Sequence, residues 1–196
     1  AGTVKAALSL NGSGTSVADL VSSLAGSGSA DVENFAINGL DQNAFPGMLS
    51  AADAMGDQPA GTSQPDAKQF AAIADKAVGQ GRFVAGNARF DFTVAGGVAR
   101  LAPISLNSGD TVLAGDLQLD LSTLRLNGEG SFSFKQAEAT QSGSAANLLY
   151  SIGGTYEEPS VQFDRQPLVQ FLTQRALERE QERVEAMQAG IMEKQR

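Results

Sequence analysis

Three amino acids are missing from this sequence of 196 residues: cysteine, histidine and tryptophan. Without cysteine and histidine there is no serine–histidine–aspartate triad, no cysteine nucleophile, and no zinc or haem site with its usual ligands. Carboxylates, tyrosines and lysines remain for acid–base chemistry. Because sugar sites normally stack aromatic rings on their ligand, the lack of tryptophan and the presence of only 2 tyrosines also argue against a glycan site.

Positive charge and long hydrophobic runs are also scarce. The chain has 14 Lys+Arg against 22 Asp+Glu and a net charge of −8, which disfavours nucleic acid and an anionic membrane surface as partners. The longest uncharged stretch, residues 139–156, is interrupted by glycine and polar residues. We therefore predict no transmembrane helix and no signal peptide in this sequence, so that any membrane anchor would lie outside it.

Glycine is plentiful, at 22 of the 196 residues, and hydrophobic residues make up 42%. These proportions fit a domain with a buried core and many tight turns between short strands. Apolar and polar residues alternate with the period of two that a strand with one buried face shows. Residues 82–135 therefore predict a meander of about four antiparallel strands. Further strands are predicted at residues 4–10, 28–38, 148–156 and 161–163.

One face of the predicted sheet is apolar, and two interpretations of that face stay open. Its predicted members are Leu113, Leu117, Leu119, Leu121, Leu124, Leu126, Phe132 and Phe134. An apolar sheet face must be covered by helices, by another sheet or by a ligand. Either helices near residues 17–24 and 66–78 cover this face as an ordinary core, or part of it is an open groove.

Short helices are predicted at about residues 16–25, 41–55 and 66–78, inside a β-rich domain that spans residues 1–163. The first helix has an apolar stripe at helical spacing, formed by Val17, Leu20, Val21 and Leu24. The second prediction is weakened by the adjacent Pro46 and Gly47.

A longer, charged helix is predicted for residues 164–196, with Asp164 as a possible cap and Pro167 suited to the first turn. Its docking residues on the β-rich domain are predicted to be Leu168, Phe171 and Leu172. From Arg175 onward the alternating charges indicate a solvated helix. We therefore expect truncation after Arg175 to leave the fold intact.

Paired carboxylates are the enzyme chemistry that composition leaves open. Asp116 and Asp120 lie on the polar side of one predicted strand, and glycosidases use two carboxylates about 5 to 10 Å apart. An exposed acidic strand face is the favoured interpretation of the same residues. No nucleotide or metal motif is recognisable, because Gly12 and Gly14 are not followed by Gly-Lys-Ser/Thr and the aspartate spacing does not match an EF-hand. We expect no cofactor and no metal.

Three segments carry a resemblance to a known family. Residues 26–41, GSGSADVENFAINGLD, have a glycine-led strand that ends in a Gly–apolar–Asp step into a helix. Residues 88–134 have a run of strands with a small-residue turn and an alternating Leu/Asp strand. Residues 152–164, IGGTYEEPSVQFD, have a closing strand pair that a charged helix follows. In this order and spacing the segments resemble the C-terminal region of the AsmA family of Gram-negative envelope proteins.

The resemblance implies a non-enzymatic periplasmic module of an inner-membrane-anchored protein. Such a module would serve outer-membrane assembly and phospholipid transport between membranes, with phospholipid and other envelope proteins as partners. It also implies a curved sheet whose concave apolar face holds acyl chains. The alternative is a scaffold domain that binds proteins through its sheet edge and C-terminal helix, without lipid.

Residue patterns and resemblance together predict an α+β fold. The expected architecture is an antiparallel, curved sheet with one apolar face packed by short helices, ending in a long charged C-terminal helix.

Overall fold

The chain is built on one antiparallel sheet, in which strand order follows chain order from β1 to β8. The computed structural model describes residues 3–58, 67–135 and 146–194. The strands are β1 (Val4–Asn11), β2 (Ala25–Leu40), β3 (Val78–Ala95), β4 (Val98–Ser108), β5 (Thr111–Asp120), β6 (Leu126–Phe134), β7 (Asn147–Gly154) and β8 (Pro159–Asp164). With the helices described next, this architecture confirms the predicted α+β class.

Helices lie between the first strands and at the C-terminal end of the sheet. They are α1 (Val17–Ser23), α2 (Ala44–Gly56), α3 (Ala67–Ala74), which continues as a 3-10 turn at Asp75–Ala77, and α4 (Gln166–Lys194). The first three correspond to the helices predicted near residues 16–25, 41–55 and 66–78, although residue 66 lies outside the described residues. Pro46 falls in the first turn of α2, where a missing N–H is harmless.

Side-chain caps explain where two of the helices begin. Ser16 precedes α1, and its hydroxyl accepts a hydrogen bond of 3.1 Å from the backbone N–H of Asp19. Asp164 precedes α4, and its carboxylate accepts a bond of 2.9 Å from the backbone N–H of Gln166. Both caps satisfy N–H groups that the first turn of a helix leaves without a partner.

The strand register places the apolar residues of neighbouring strands on one face. Leu101 of β4 lies opposite Leu117 of β5, and Leu113 of β5 lies opposite Phe132 of β6. Side chains of directly opposed residues point to the same side of a sheet. The alternation in the sequence therefore produces one continuous apolar face, as predicted.

Helices α2, α3 and α4 pack on this face at one end of the sheet and form the core. The helices contribute Phe45, Met48, Ala52, Phe70, Ile73, Ala74, Leu168, Phe171, Leu172 and Ala176. The strands contribute Leu40, Val78, Phe83, Leu113, Phe132, Phe134 and Leu148. Stacking of Phe45 on Phe134, with ring centroids 4.5 Å apart, joins α2 to the sheet.

The docked part of α4 is longer than predicted. Its predicted docking residues are fully buried, namely Leu168, Phe171 and Leu172. Beyond them, the Arg175 guanidinium forms two bonds to the Asp53 carboxylate, of 2.7 and 3.1 Å, and Ala176 is buried. A Cβ at Gly56 of α2 would lie 2.6 Å from the carbonyl oxygen of Ala176, so this close approach requires glycine. Farther along α4, the Arg179 guanidinium lies 3.6 Å from the Asp57 carboxylate. The contact between α4 and the β-rich domain therefore extends about two turns past Leu172.

Two residues predicted on the apolar face lie in the turn between β5 and β6 instead. The Asp120 carboxylate accepts hydrogen bonds from the backbone N–H groups of Ser122 and Thr123, at 2.8 and 2.9 Å. This Asx turn ends β5 before Leu121. Leu124 has a φ of 54° and is 44% exposed. The prediction that Leu121 and Leu124 belong to the sheet face is therefore wrong, because a local turn interrupts the alternation.

Candidate functional site: an apolar groove

Beside the helical core, the apolar face forms an open groove of about 560 Å³. Its apolar walls are formed by Phe35 and Ile37 of β2, Phe90 of β3, Leu101 and Ile104 of β4, Leu117 of β5, Tyr150 and Ile152 of β7, and Val161 and Phe163 of β8. We call this the apolar groove. The volume is within the range of small-molecule binding sites, which is about 300 to 1,000 Å³.

The groove shows that the sheet is curved with its apolar face inside. Strands β2 and β8 are six positions apart in the sheet, yet Phe35 and Phe163 line the same cavity. In a flat sheet, with neighbouring strands about 4.8 Å apart, these strands would be separated by about 29 Å. The sheet must therefore bend around the groove, as the resemblance implied.

Residues that lie opposite one another on neighbouring strands form rows that run across the sheet. On the apolar face, four such rows extend from the core through the groove. The first row consists of Leu106, Leu113, Phe132 and Leu148. The second row consists of Ile104, Gly115, Gly130, Tyr150 and Phe163. The third row contains the pair Leu101 and Leu117 and the pair Ile152 and Val161. The fourth row contains Ala99, Leu119 and Leu126. The first row lies under the helices, whereas the next two line the groove.

Burial falls from the first row to the third. In the first row, Leu113, Phe132 and Leu148 are buried and belong to the core. In the third row, Val161 is 51% exposed and none of the members belongs to the core. The groove thus begins where the helices end.

Tyr150 marks the boundary between core and groove. Its ring lies across Gly115 and Gly130, because a Cβ at either glycine would clash with the tyrosine side chain. Its hydroxyl donates a hydrogen bond of 3.0 Å to the carbonyl oxygen of Ala114. Burial, together with the nearby charge of Asp116, raises the pKa of Tyr150. The phenol is therefore neutral and already paired, and the lack of a side chain at Gly115 and Gly130 leaves room for it.

The apolar face continues beyond the groove to the edge strand β1. The exposed side chains of that strand on this face are Val4, Leu8 and Leu10. Leu8 lies opposite Gly28, which in turn lies opposite Phe92 of β3. Uncovered apolar surface therefore extends from the groove to the first edge of the sheet.

The eight residues predicted for the apolar face are divided among different environments. Leu113, Phe132 and Phe134 lie in the core, and Leu117 lines the groove. Leu119 and Leu126 oppose each other in the half-buried fourth row. Part of the apolar face is therefore buried in the core, and another part lines the open groove.

Helix α1 does not contribute to the core, contrary to the interpretation in which residues 17–24 cover the sheet. None of its residues is buried, and Val17 is 79% exposed. The core is instead completed by α2 and α4, together with α3. A seven-residue helix in the short connection between β1 and β2 lacks the reach to cross the sheet.

Groove residues of β2, β7 and β8 were not singled out from the sequence. The alternation of apolar and polar residues is visible in these strands. However, they are separated from β4 and β5 in the sequence, and they line the same cavity only because the sheet is curved. Phe35 also follows a register shift, with Asn34 at a φ of 57°. It then packs edge-on against Phe90 at 5.3 Å between ring centroids. No period-two pattern could have located it on this face.

The carboxylates considered for catalysis have separate surroundings. Asp116 is exposed, whereas Asp120 is held in the turn after β5. Hydrogen bonds from the Ser122 hydroxyl and then from the backbone N–H groups of Thr123 and Ser122 lower the pKa of Asp120 to about 2. A general acid near neutral pH requires a raised pKa, so Asp120 is unsuited to that role.

In the part of the chain that the structure describes, no cluster of acidic side chains has the arrangement of a metal site. Over the same ranges, no helix combines the length and hydropathy that crossing a bilayer requires. Compared with protein-family models, with curated proteins and with solved structures, the chain matches none of them.

Proposed function

We propose that this chain is a non-enzymatic lipid-handling module that holds acyl chains in the apolar groove. The observation that carries the proposal is the groove itself, a concave apolar surface that the helices leave open. Soluble domains rarely expose contiguous apolar patches above a few hundred Å², and those that do commonly bind ligands or partners there. The lining has the chemistry of a hydrocarbon site rather than a polar one.

The setting of this function rests on the resemblance to the AsmA family. It favours a periplasmic module of an inner-membrane-anchored protein that takes part in outer-membrane biogenesis and phospholipid transport between membranes. Phospholipid and other envelope proteins would be its partners, and the membrane would be reached through an anchor outside this sequence. The concave apolar face agrees with the groove that the resemblance implies.

The energy available from such binding is sufficient. Each CH₂ group that leaves water for apolar surroundings contributes about 0.8 kcal/mol. About ten CH₂ groups of one acyl chain would therefore contribute about 8 kcal/mol, before the entropy cost of association is subtracted.

A matched pair of variants tests the proposal. Val161→Glu puts a charge on the groove wall at an exposed position, and Val184→Glu makes the same change at a residue of α4 outside the groove. We expect phospholipid in the purified wild-type protein by mass spectrometry, and uptake of fluorescent phospholipid. Val161→Glu should lose most of both, and Val184→Glu neither. A lipid-free wild-type protein that takes up no labelled phospholipid would reject the proposal.

The second candidate is a scaffold domain that binds a protein without lipid. Exposed apolar residues along α4 favour it, namely Leu177, Val184, Met187 and Ile191. The edge strand β1 favours it too, because β2 is its one partner among the described strands. The same two variants separate the candidates. If Val184→Glu abolishes a complex with an envelope protein while Val161→Glu leaves it intact, the scaffold function is the correct one.

A further inference from the structure

The two ends of the apolar groove differ, and the difference concerns how a ligand lies in it. At one end the groove abuts the first row, because Leu40 and Leu113 line the groove and also belong to the core. Directly behind them, Phe83 and Phe132 are fully buried and pack edge to face at 5.8 Å. This end is closed by close-packed side chains, and we call it the closed end.

In the opposite direction the groove leads to the third and fourth rows, away from α2, α3 and α4. Here Val161 is half exposed, and Leu119 of the fourth row is half-buried. The connections at this end of the sheet include α1, which buries none of its residues, and the polar turn after Asp120. We call this the distal end.

Polar groups available to a ligand are scarce along the groove. Among the described residues that line it, Asp116 is the only charged one, and no lysine or arginine is present. The Tyr150 hydroxyl is engaged by the Ala114 carbonyl. Asn38, two residues before Leu40, adds one neutral amide at the closed end. A phosphate or other charged headgroup placed there would lose its water and meet no positive charge among the described lining residues, which is strongly unfavourable.

From this asymmetry we propose that the groove binds an acyl chain in one orientation. The methyl end lies at the closed end against Leu113, beside Tyr150, and the headgroup lies at the distal end in contact with water. This orientation rests on the proposed lipid-binding function. From Leu113 to Leu119 the strand spans about 20 Å, at about 3.4 Å per residue, which is long enough to distinguish the two ends of a chain.

The lack of cysteine allows a direct test by fluorescence quenching. Two single-cysteine variants, Ile104→Cys in the second row and Leu119→Cys in the fourth row, are labelled with a small fluorophore. Each is mixed with phosphatidylethanolamine that has a nitroxide near either the methyl end or the carboxyl end of one acyl chain. We expect the methyl-end nitroxide to quench the label at residue 104 several-fold more than that at residue 119. The carboxyl-end nitroxide should show the reverse preference.

The possible outcomes separate this inference from the proposed function. Equal quenching at both positions, or the opposite preference, would refute the orientation while leaving lipid binding in place. No quenching at either position by either lipid would refute both. Photocrosslinking of the unaltered protein by lipid with a diazirine at the methyl end gives an independent measurement. Crosslinks located at Leu113 or Tyr150 by fragment-ion sequencing would support the orientation, and crosslinks confined to Leu119 or Val161 would contradict it.

Discussion

The first and third rows of the apolar face are built from the same kinds of residue but have different surroundings. Leu113 and Phe132 of the first row are covered by three helices, whereas Leu117 and Val161 of the third row face an open groove. Strand periodicity determines which face is apolar. Coverage depends on which helices reach it, so an apolar strand pattern alone does not distinguish a core from a binding surface.

The largest expected effect comes from removing an aromatic ring from each region. Phe132→Ala should lower the free energy of unfolding by about 3 to 5 kcal/mol, because it leaves a cavity in a close-packed core. Phe90→Ala should cost only about 1 to 2 kcal/mol, because Phe90 is half-buried and its ring is already partly in contact with water. Chemical denaturation measures both. If the two variants lost similar amounts of unfolding free energy, the groove would be packed as tightly as the core.

The boundary between the two regions gives the next prediction. Gly130→Ala should destabilise the protein by about 1 to 3 kcal/mol, because the new methyl group meets the Tyr150 ring and the backbone of β5. Gly47→Ala in α2 is the matched control. None of the residues that the structure describes lies within 4 Å of its Cβ position, and alanine should stabilise that helix by up to about 1 kcal/mol. If Gly130→Ala is neutral in thermal denaturation, Tyr150 does not occupy the position described.

The length of the covering helix gives a smaller effect. Truncation after Arg175 should cost about 1 to 2 kcal/mol, because it removes the buried methyl group of Ala176 and the remaining contact of α4 with α2 up to Arg179. Truncation after Ala186, which removes the exposed Met187, Ile191 and Met192, should change the melting temperature little. An unchanged melting temperature after both truncations would show that docking ends at Leu172, as the sequence suggested.

The smallest effect concerns the turn at the distal end of the groove. The pKa of Asp120 is lowered from 3.8 to about 2 by the hydrogen bonds from Ser122 and Thr123. The ionised carboxylate therefore stabilises the fold above pH 3.8, and this contribution is lost as the pH falls toward about 2. We expect Asp120→Asn to melt below the wild type at neutral pH, with the difference shrinking as the pH approaches about 2. A difference that does not change with pH would contradict this.

Sequence reasoning succeeded where structure is local and periodic. The alternation in β3 to β6 predicted antiparallel strands with one apolar face, and the spacing of Leu168, Phe171 and Leu172 predicted the docked stripe. It failed where one polar side chain overrides the pattern. Asp120 alone removes Leu121 and Leu124 from the sheet by binding the backbone of the turn.

The groove itself depends on arrangement in three dimensions. Helix α3 has apolar residues at positions 70, 73 and 74, the same spacing as positions 17, 20 and 21 of α1. Val17 is nevertheless exposed, whereas Phe70 is fully buried. The difference comes from where each helix is attached to the sheet, which periodicity does not encode. For the same reason, Phe35 and Phe163 could not be assigned to one site before the curvature was known.

Every strand in the sheet pairs with its neighbours in the chain, from β1 to β8. Pairing therefore needs no threading and no crossover, and each new hairpin can form on an edge that the previous one has completed. The longest connection, between β2 and β3, contains α2 and α3, whose helices form faster than long-range strand pairs. For a protein so rich in strands, this order means that each strand pairs with the strand next to it in the chain, and no strand has to insert between two that are already paired.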